Sequence, residues 1–152
     1  MRSVDALRGL AILMMFAYHL SFDLRYFGVI NADFEHDAFW LGFRALIVTA
    51  FMTLVGISLA LAARKGVTAT HFLKRVTFIA LGALAATVAS LVMFPASFIY
   101  FGILHCIAVT SVLAWPLRER PGIALLVGAI VLVAGVSISS PLFDTRYASW
   151  IG

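Results

Sequence analysis

Residues 3–24, SVDALRGLAILMMFAYHLSFDL, form an apolar run of membrane length that carries Arg8, His19 and Asp23 where hydrocarbon-facing side chains are expected. An ionisable group at such depth is costly unless it faces a protein interior or a wet cavity, so each marks a candidate functional site. On a helix the step from Arg8 to His19 turns through about 1100°, roughly 20° from realignment, and rises about 16 Å, which puts both side chains on one face. Asp23 follows His19 at the i+4 position, within reach of the imidazole one turn away. The run lacks the small-residue cleavage site of a signal peptide and is expected to be a retained first helix, turned toward the inside of a bundle.

The rest of the chain has the same character. Of 152 residues, 63% are hydrophobic and 12% charged, and the mean hydropathy of +1.06 excludes an ordinary soluble domain. The net charge of +4 does not indicate nucleic acid, because the basic residues lie between apolar runs and form no single stripe. Cys106 is the only cysteine, so no intrachain disulfide forms.

Five apolar segments, near residues 4–27, 39–63, 73–94, 98–117 and 122–139, predict an all-α polytopic membrane bundle of about five transmembrane helices. The first link carries Asp33, Glu35, His36 and Asp37, whereas the second carries Arg64, Lys65 and His71 and leads into Lys74 and Arg75. With the amino terminus in the cytoplasm, Arg2, Arg8, Arg64, Lys65, Lys74, Arg75, Arg118 and Arg120 all lie on the inner side, as the positive-inside rule requires. Small residues at four-residue spacing, Gly82, Ala86 and Ser90 on the third segment and Gly56 and Ala60 on the second, predict faces where helix backbones approach closely. The brief turn around Pro95 makes segments three and four antiparallel neighbours. After residue 138 the chain turns polar and stops, so a single transmembrane domain over residues 1–152, cut short at its carboxyl end, is expected.

His19 and His105 each lie seven or eight residues from the outer end of their segment, roughly 10 to 12 Å below the surface at 1.5 Å per residue, and so share a layer. Arg44 on the second segment and Asp23 complete a polar group drawn from three helices. A titratable ring beside an i+4 carboxylate is the arrangement a general base needs. Each residue also has a plain reading: His19 or His105 a satisfied interior histidine, Arg44 a snorkelling side chain, Asp23 a helix-end carboxylate, Arg8 an inner anchor paired with Asp5. His36, in its acidic loop, and His71, among basic residues, read as solvated surface side chains. YFGILH, residues 100–105, places Tyr100 in an interfacial aromatic belt.

These motifs resemble a known group. SVDALRGLAILMMFAYH is similar to the opening of the transmembrane acyltransferase superfamily, in which Asp-x-x-Arg-Gly begins the first helix and ten residues separate the arginine from a histidine; here these are Asp5, Arg8, Gly9 and His19. HLSFDLRYFG, FRALIVTAFMTLVGISLAL and YFGILHCIAV are similar to the bacterial proteins that share the catalytic domain of heparan-alpha-glucosaminide N-acetyltransferase. The resemblance implies transfer of an acetyl group from cytoplasmic acetyl-CoA to a saccharide hydroxyl or amine on the far side of a bacterial inner membrane. It implies a histidine at the centre, His19 by the superfamily motif or His36 by its place in the first outer loop. Family members continue for several helices beyond this chain, which implies an amino-terminal portion of a larger bundle. Where the family often carries Gln on the fourth helix, this chain has His105.

On this reading Arg8, Arg64 and Lys65 hold the phosphates of the acyl donor, His19 removes the acceptor proton, Asp23 orients the ring, and Arg44 or His105 steadies the oxyanion. No metal is expected. The expected partners are the lipid bilayer, acetyl-CoA and a saccharide acceptor, in a chain free to self-associate and without a nucleic-acid partner. Two competing readings stay open: a haem-binding membrane protein with His19 and His105 as axial ligands, and a transporter-like subunit whose polar residues line a path.

Overall fold

The computed structural model describes residues 2–95 and 98–137, and among them every regular element is helical. The order is α1 (Arg2–Tyr26), α2 (Ala38–Arg64), α3 (Ala69–Met93), α4 (Ile103–Ala114), a single 3-10 turn (Trp115–Leu117) and α5 (Pro121–Ser137). The chain divides into two compact units, Met1–Ser58 and Leu59–Gly152, with the boundary inside α2.

The first three helices have 25, 27 and 25 residues and are apolar enough to cross a membrane. At about 1.5 Å per residue each exceeds the roughly 30 Å of a bilayer core. The helix α4 has only 12 residues. Its apolar run starts near residue 98, but the chain turns helical only after Gly102, whose extended backbone makes it the N-cap; at the other end Pro116 lies in the 3-10 turn, where its missing N–H cannot continue an α-helical ladder. Leu13, Phe16, Phe78, Leu125 and Leu132 are all exposed, the surface of a protein whose solvent is hydrocarbon.

Two helices end by the same device. Gly28 and Gly66 have φ of +73° and +62°, a left-handed conformation that glycine adopts without penalty. After α1, the Gly28 N–H donates to the Arg25 carbonyl at 2.9 Å and the Val29 N–H to Leu24 at 2.8 Å; after α2, Gly66 donates to Ala63 and Val67 to Ala62 at 3.1 and 3.0 Å. Both are Schellman closures, which satisfy carbonyls that a helix end otherwise leaves bare. At the other ends, Asp37 accepts the Phe39 N–H at 2.8 Å, Thr68 caps α3 through the His71 N–H, and Pro121 opens α5 at the position where an N–H is dispensable.

In the Met1–Ser58 unit the α1–α2 loop is pinned by Phe34, only 3% exposed. Its ring meets Tyr18, Phe22 and Trp40 at 5.4, 5.5 and 4.3 Å between centroids, and the Arg25 guanidinium lies over it at 5.9 Å. Such edge and tilted contacts suit the ring quadrupole. In the Leu59–Gly152 unit α3 and α4 are antiparallel neighbours: Phe72 at the start of α3 stacks on Trp115 just past α4 at 3.9 Å and 14°, while Thr87 near the end of α3 meets His105 at the start of α4. Gly82 faces α4, since a Cβ there would lie 3.8 Å from Leu104, as the small-residue spacing predicts. Ala86 is exposed. Ser90 serves differently, donating to the Thr87 carbonyl and accepting the Ile99 N–H, both at 3.0 Å, and so ties down the approach to α4. Gly56 has nothing within 4 Å of its would-be Cβ, and Ala60 is exposed, so that stripe meets no neighbour among the described residues.

Candidate functional site

The Asp-x-x-Arg motif folds into a clamp. Arg8 lies about 9 Å along α1 at 1.5 Å per residue. One terminal nitrogen donates to Asp5 Oδ1 at 2.5 Å and the other to Ser58 Oγ on α2 at 2.7 Å. Ser58 is 6% exposed and directs its own proton to the Leu54 carbonyl at 2.5 Å. With its proton committed there, the hydroxyl meets the guanidinium as an acceptor. An arginine offers five N–H donors, of which these contacts use two, and the side chain remains 37% exposed.

In the α1–α2 loop Asp33 builds a turn around itself. Its Oδ1 accepts the N–H groups of Glu35 and His36 at 2.9 and 3.0 Å, and its Oδ2 accepts from His36 Nδ1 at 3.1 Å. The Glu35 N–H first, then the His36 N–H, with help from the imidazole, hold the Asp33 carboxyl below its ordinary range. A carboxylate only accepts, so Nδ1 carries the proton. In neutral His36 the lone pair is then on Nε2, and the side chain is 80% exposed. This is an imidazole oriented by an acid with its basic nitrogen turned outward.

His19 and Asp23 share α1 but no hydrogen bond or ion pair joins them. Both are exposed, and the His19 ring meets the edge of Tyr18 at 6.0 Å. Arg44 on α2 is exposed as well. The four-residue spacing permits a His19–Asp23 contact, whereas the i,i+3 spacing within a turn produces the Asp33–His36 one.

His105 occupies the first turn of α4, two residues past its start, rather than the deeper position that a helix beginning near residue 98 implies. Its Nδ1 accepts the Gly102 N–H at 3.2 Å, so Nε2 carries the proton and donates to Thr87 Oγ1 at 3.4 Å. Both nitrogens are committed, one to capping α4 and one to α3. An axial iron ligand or a general base needs an unoccupied nitrogen lone pair, and His105 in this tautomer offers none.

Arg64 closes α2 and is exposed, as is Lys65 beside it. In the same unit Trp115 is covered on one face by Phe72 and on the other by Arg118, whose guanidinium carbon lies 4.0 Å from its centroid. Arg118 also donates to the Trp115 carbonyl at 3.1 Å and pairs with Glu119 at 2.6 Å. The sandwich locks the connection from α4 to α5 onto the start of α3.

Reading the sequence alone missed Ser58, Thr87 and the partnership of Asp33 with His36. Ser58 and Thr87 had a weak signal, a hydroxyl in an otherwise apolar helix. Asp-x-x-His at a loop is too common a pattern to stand out without the turn it makes. The family model described as heparan-alpha-glucosaminide N-acetyltransferase, catalytic, matches residues 1–152. No curated protein and no solved structure matches the chain. With that match along its full length and helices built to cross a bilayer, the chain is a membrane protein and belongs to the heparan-alpha-glucosaminide N-acetyltransferase catalytic family, a family of membrane acetyltransferases.

Proposed function

We propose that the protein moves an acetyl group from cytoplasmic acetyl-CoA to a saccharide hydroxyl or amine across a bacterial inner membrane, with its amino terminus in the cytoplasm and the α1–α2 loop on the acceptor side. The observation that carries this reading is the Asp33–His36 pair, with Nδ1 held at 3.1 Å from the carboxylate and Nε2 turned outward. The acceptor's lone pair attacks the acetyl carbonyl while its proton passes to His36 Nε2. The C–S bond then breaks, and the departing CoA thiolate takes that proton from the imidazolium. Asp33 holds the ring in the reactive tautomer and stabilises its charged form. Arg64 and Lys65, at the cytoplasmic end of α2, supply cations that draw the anionic donor to the membrane.

His19 is the competing base, supported by the arginine–histidine spacing of α1 and not by a carboxylate partner. The test is acetyl-CoA-dependent labelling of a glucosamine-terminated acceptor in membranes carrying the protein. His36→Ala is expected to abolish labelling and His19→Ala to retain it. The reverse pattern moves the base to His19, and no labelling by the unaltered protein overturns the transferase reading.

A further inference from the structure

We propose that Ser58 is a positioning residue that aims Arg8 at a neutral carbonyl of the acyl donor's pantetheine arm, and not at its phosphates; this rests on the transferase reading above. The geometry begins with the buried hydroxyl. Its proton goes to the Leu54 carbonyl and its lone pair to Arg8 Nη2 at 2.7 Å, so Ser58 fixes the guanidinium from α2 while Asp5 fixes it from α1 at 2.5 Å. Two anchors on different helices hold a planar fork at one angle, and three N–H donors are left for a ligand.

Charge and depth select the ligand. Asp5 neutralises the guanidinium at contact distance and repels a phosphate approaching the same edge, whereas a carbonyl oxygen accepts an N–H without bringing charge. Arg8 also lies about 9 Å along α1 at 1.5 Å per residue, inside the helix rather than at its end. A donor whose phosphates stay at the membrane surface reaches that level with the uncharged amides of its arm, and its thioester extends beyond them toward the α1–α2 loop. Ser58 touches no reacting atom and acts through Arg8.

The experiment measures acetyl transfer by the full chain in membranes with two donors, acetyl-CoA and acetyl-pantetheine, the second lacking the nucleotide phosphates. Ser58→Ala is expected to raise KM about tenfold for both donors with kcat within twofold, the loss of one hydrogen bond to a charged group. Ser58→Thr, which keeps the hydroxyl, is expected to restore KM. A KM penalty for acetyl-CoA alone assigns Arg8 to the phosphates and overturns the inference. So does an unchanged KM in Ser58→Ala, or an equal fall in kcat without a KM change. If the unaltered protein transfers acetyl from neither donor, the transferase reading falls first and this inference with it.

Discussion

His36 and His105 carry the same side chain in opposite employment. In the α1–α2 loop one ring nitrogen of His36 is held by Asp33 and the other faces outward. At the start of α4 both nitrogens of His105 are consumed, one by a backbone N–H and one by a threonine hydroxyl. The difference lies in the partner at Nδ1. A carboxylate there forces the proton onto Nδ1 and leaves Nε2 basic; a backbone donor there forces the proton onto Nε2, where a hydroxyl then takes it. One arrangement is ready for proton transfer and the other joins two helices.

The largest effect that can break this comparison is on turnover. His36→Ala should lower acetyl transfer by about 10²- to 10⁴-fold, the usual contribution of a positioned base, whereas His105→Ala should leave the rate per folded molecule within a few-fold. Equal losses in both would erase the distinction. Next is Asp33→Asn, whose side-chain oxygen still accepts the two backbone N–H groups but whose amide N–H now faces Nδ1 and drives the ring proton onto Nε2. It should cost nearly as much kcat as His36→Ala, with the turn intact, which amide exchange at Glu35 and His36 would check.

A smaller effect belongs to the other histidine. His105→Ala removes a helix cap and a link to Thr87 and should cost about 1 kcal/mol, read as a Tm lowered by a few degrees in detergent. A large fall in kcat at unchanged Tm would instead make His105 a participant in the chemistry.

The smallest effect is on acidification. The folded turn holds the Asp33 carboxyl below its reference value of 3.8, so the turn gains stability from ionisation above that value and loses it as pH falls through the lower folded one. Amide protection at Glu35 and His36 should therefore persist at pH 5 and disappear only in stronger acid. Loss of protection by pH 5 would contradict the carboxylate's role.

Much of the fold is legible in the residues. Uninterrupted apolar runs demand helices, because no other element spans hydrocarbon with its backbone satisfied, and the brief turn at Pro95 makes α3 and α4 antiparallel. The helix stops were also written in the chain, since RYFGV and RKGV each place a valine after a left-handed glycine at a helix end. The site was less legible. The spacing of His19 and Asp23 identified a contact the helix permits and does not make, and Arg8 announced itself as an intramembrane cation without naming Ser58, fifty positions away.

By itself, then, the sequence determined what depends on one residue and its near neighbours: apolar length, helix type, glycine stops and the membrane as solvent. The tertiary structure decided which polar groups meet. Helical spacing says only that two side chains can touch, whereas a hydrogen bond needs both partners oriented, and that orientation comes from the next helix or the next turn. Arg8 took its angle from Ser58, and His105 its second partner from Thr87, because in each case that partner stands on another helix and arrives through packing.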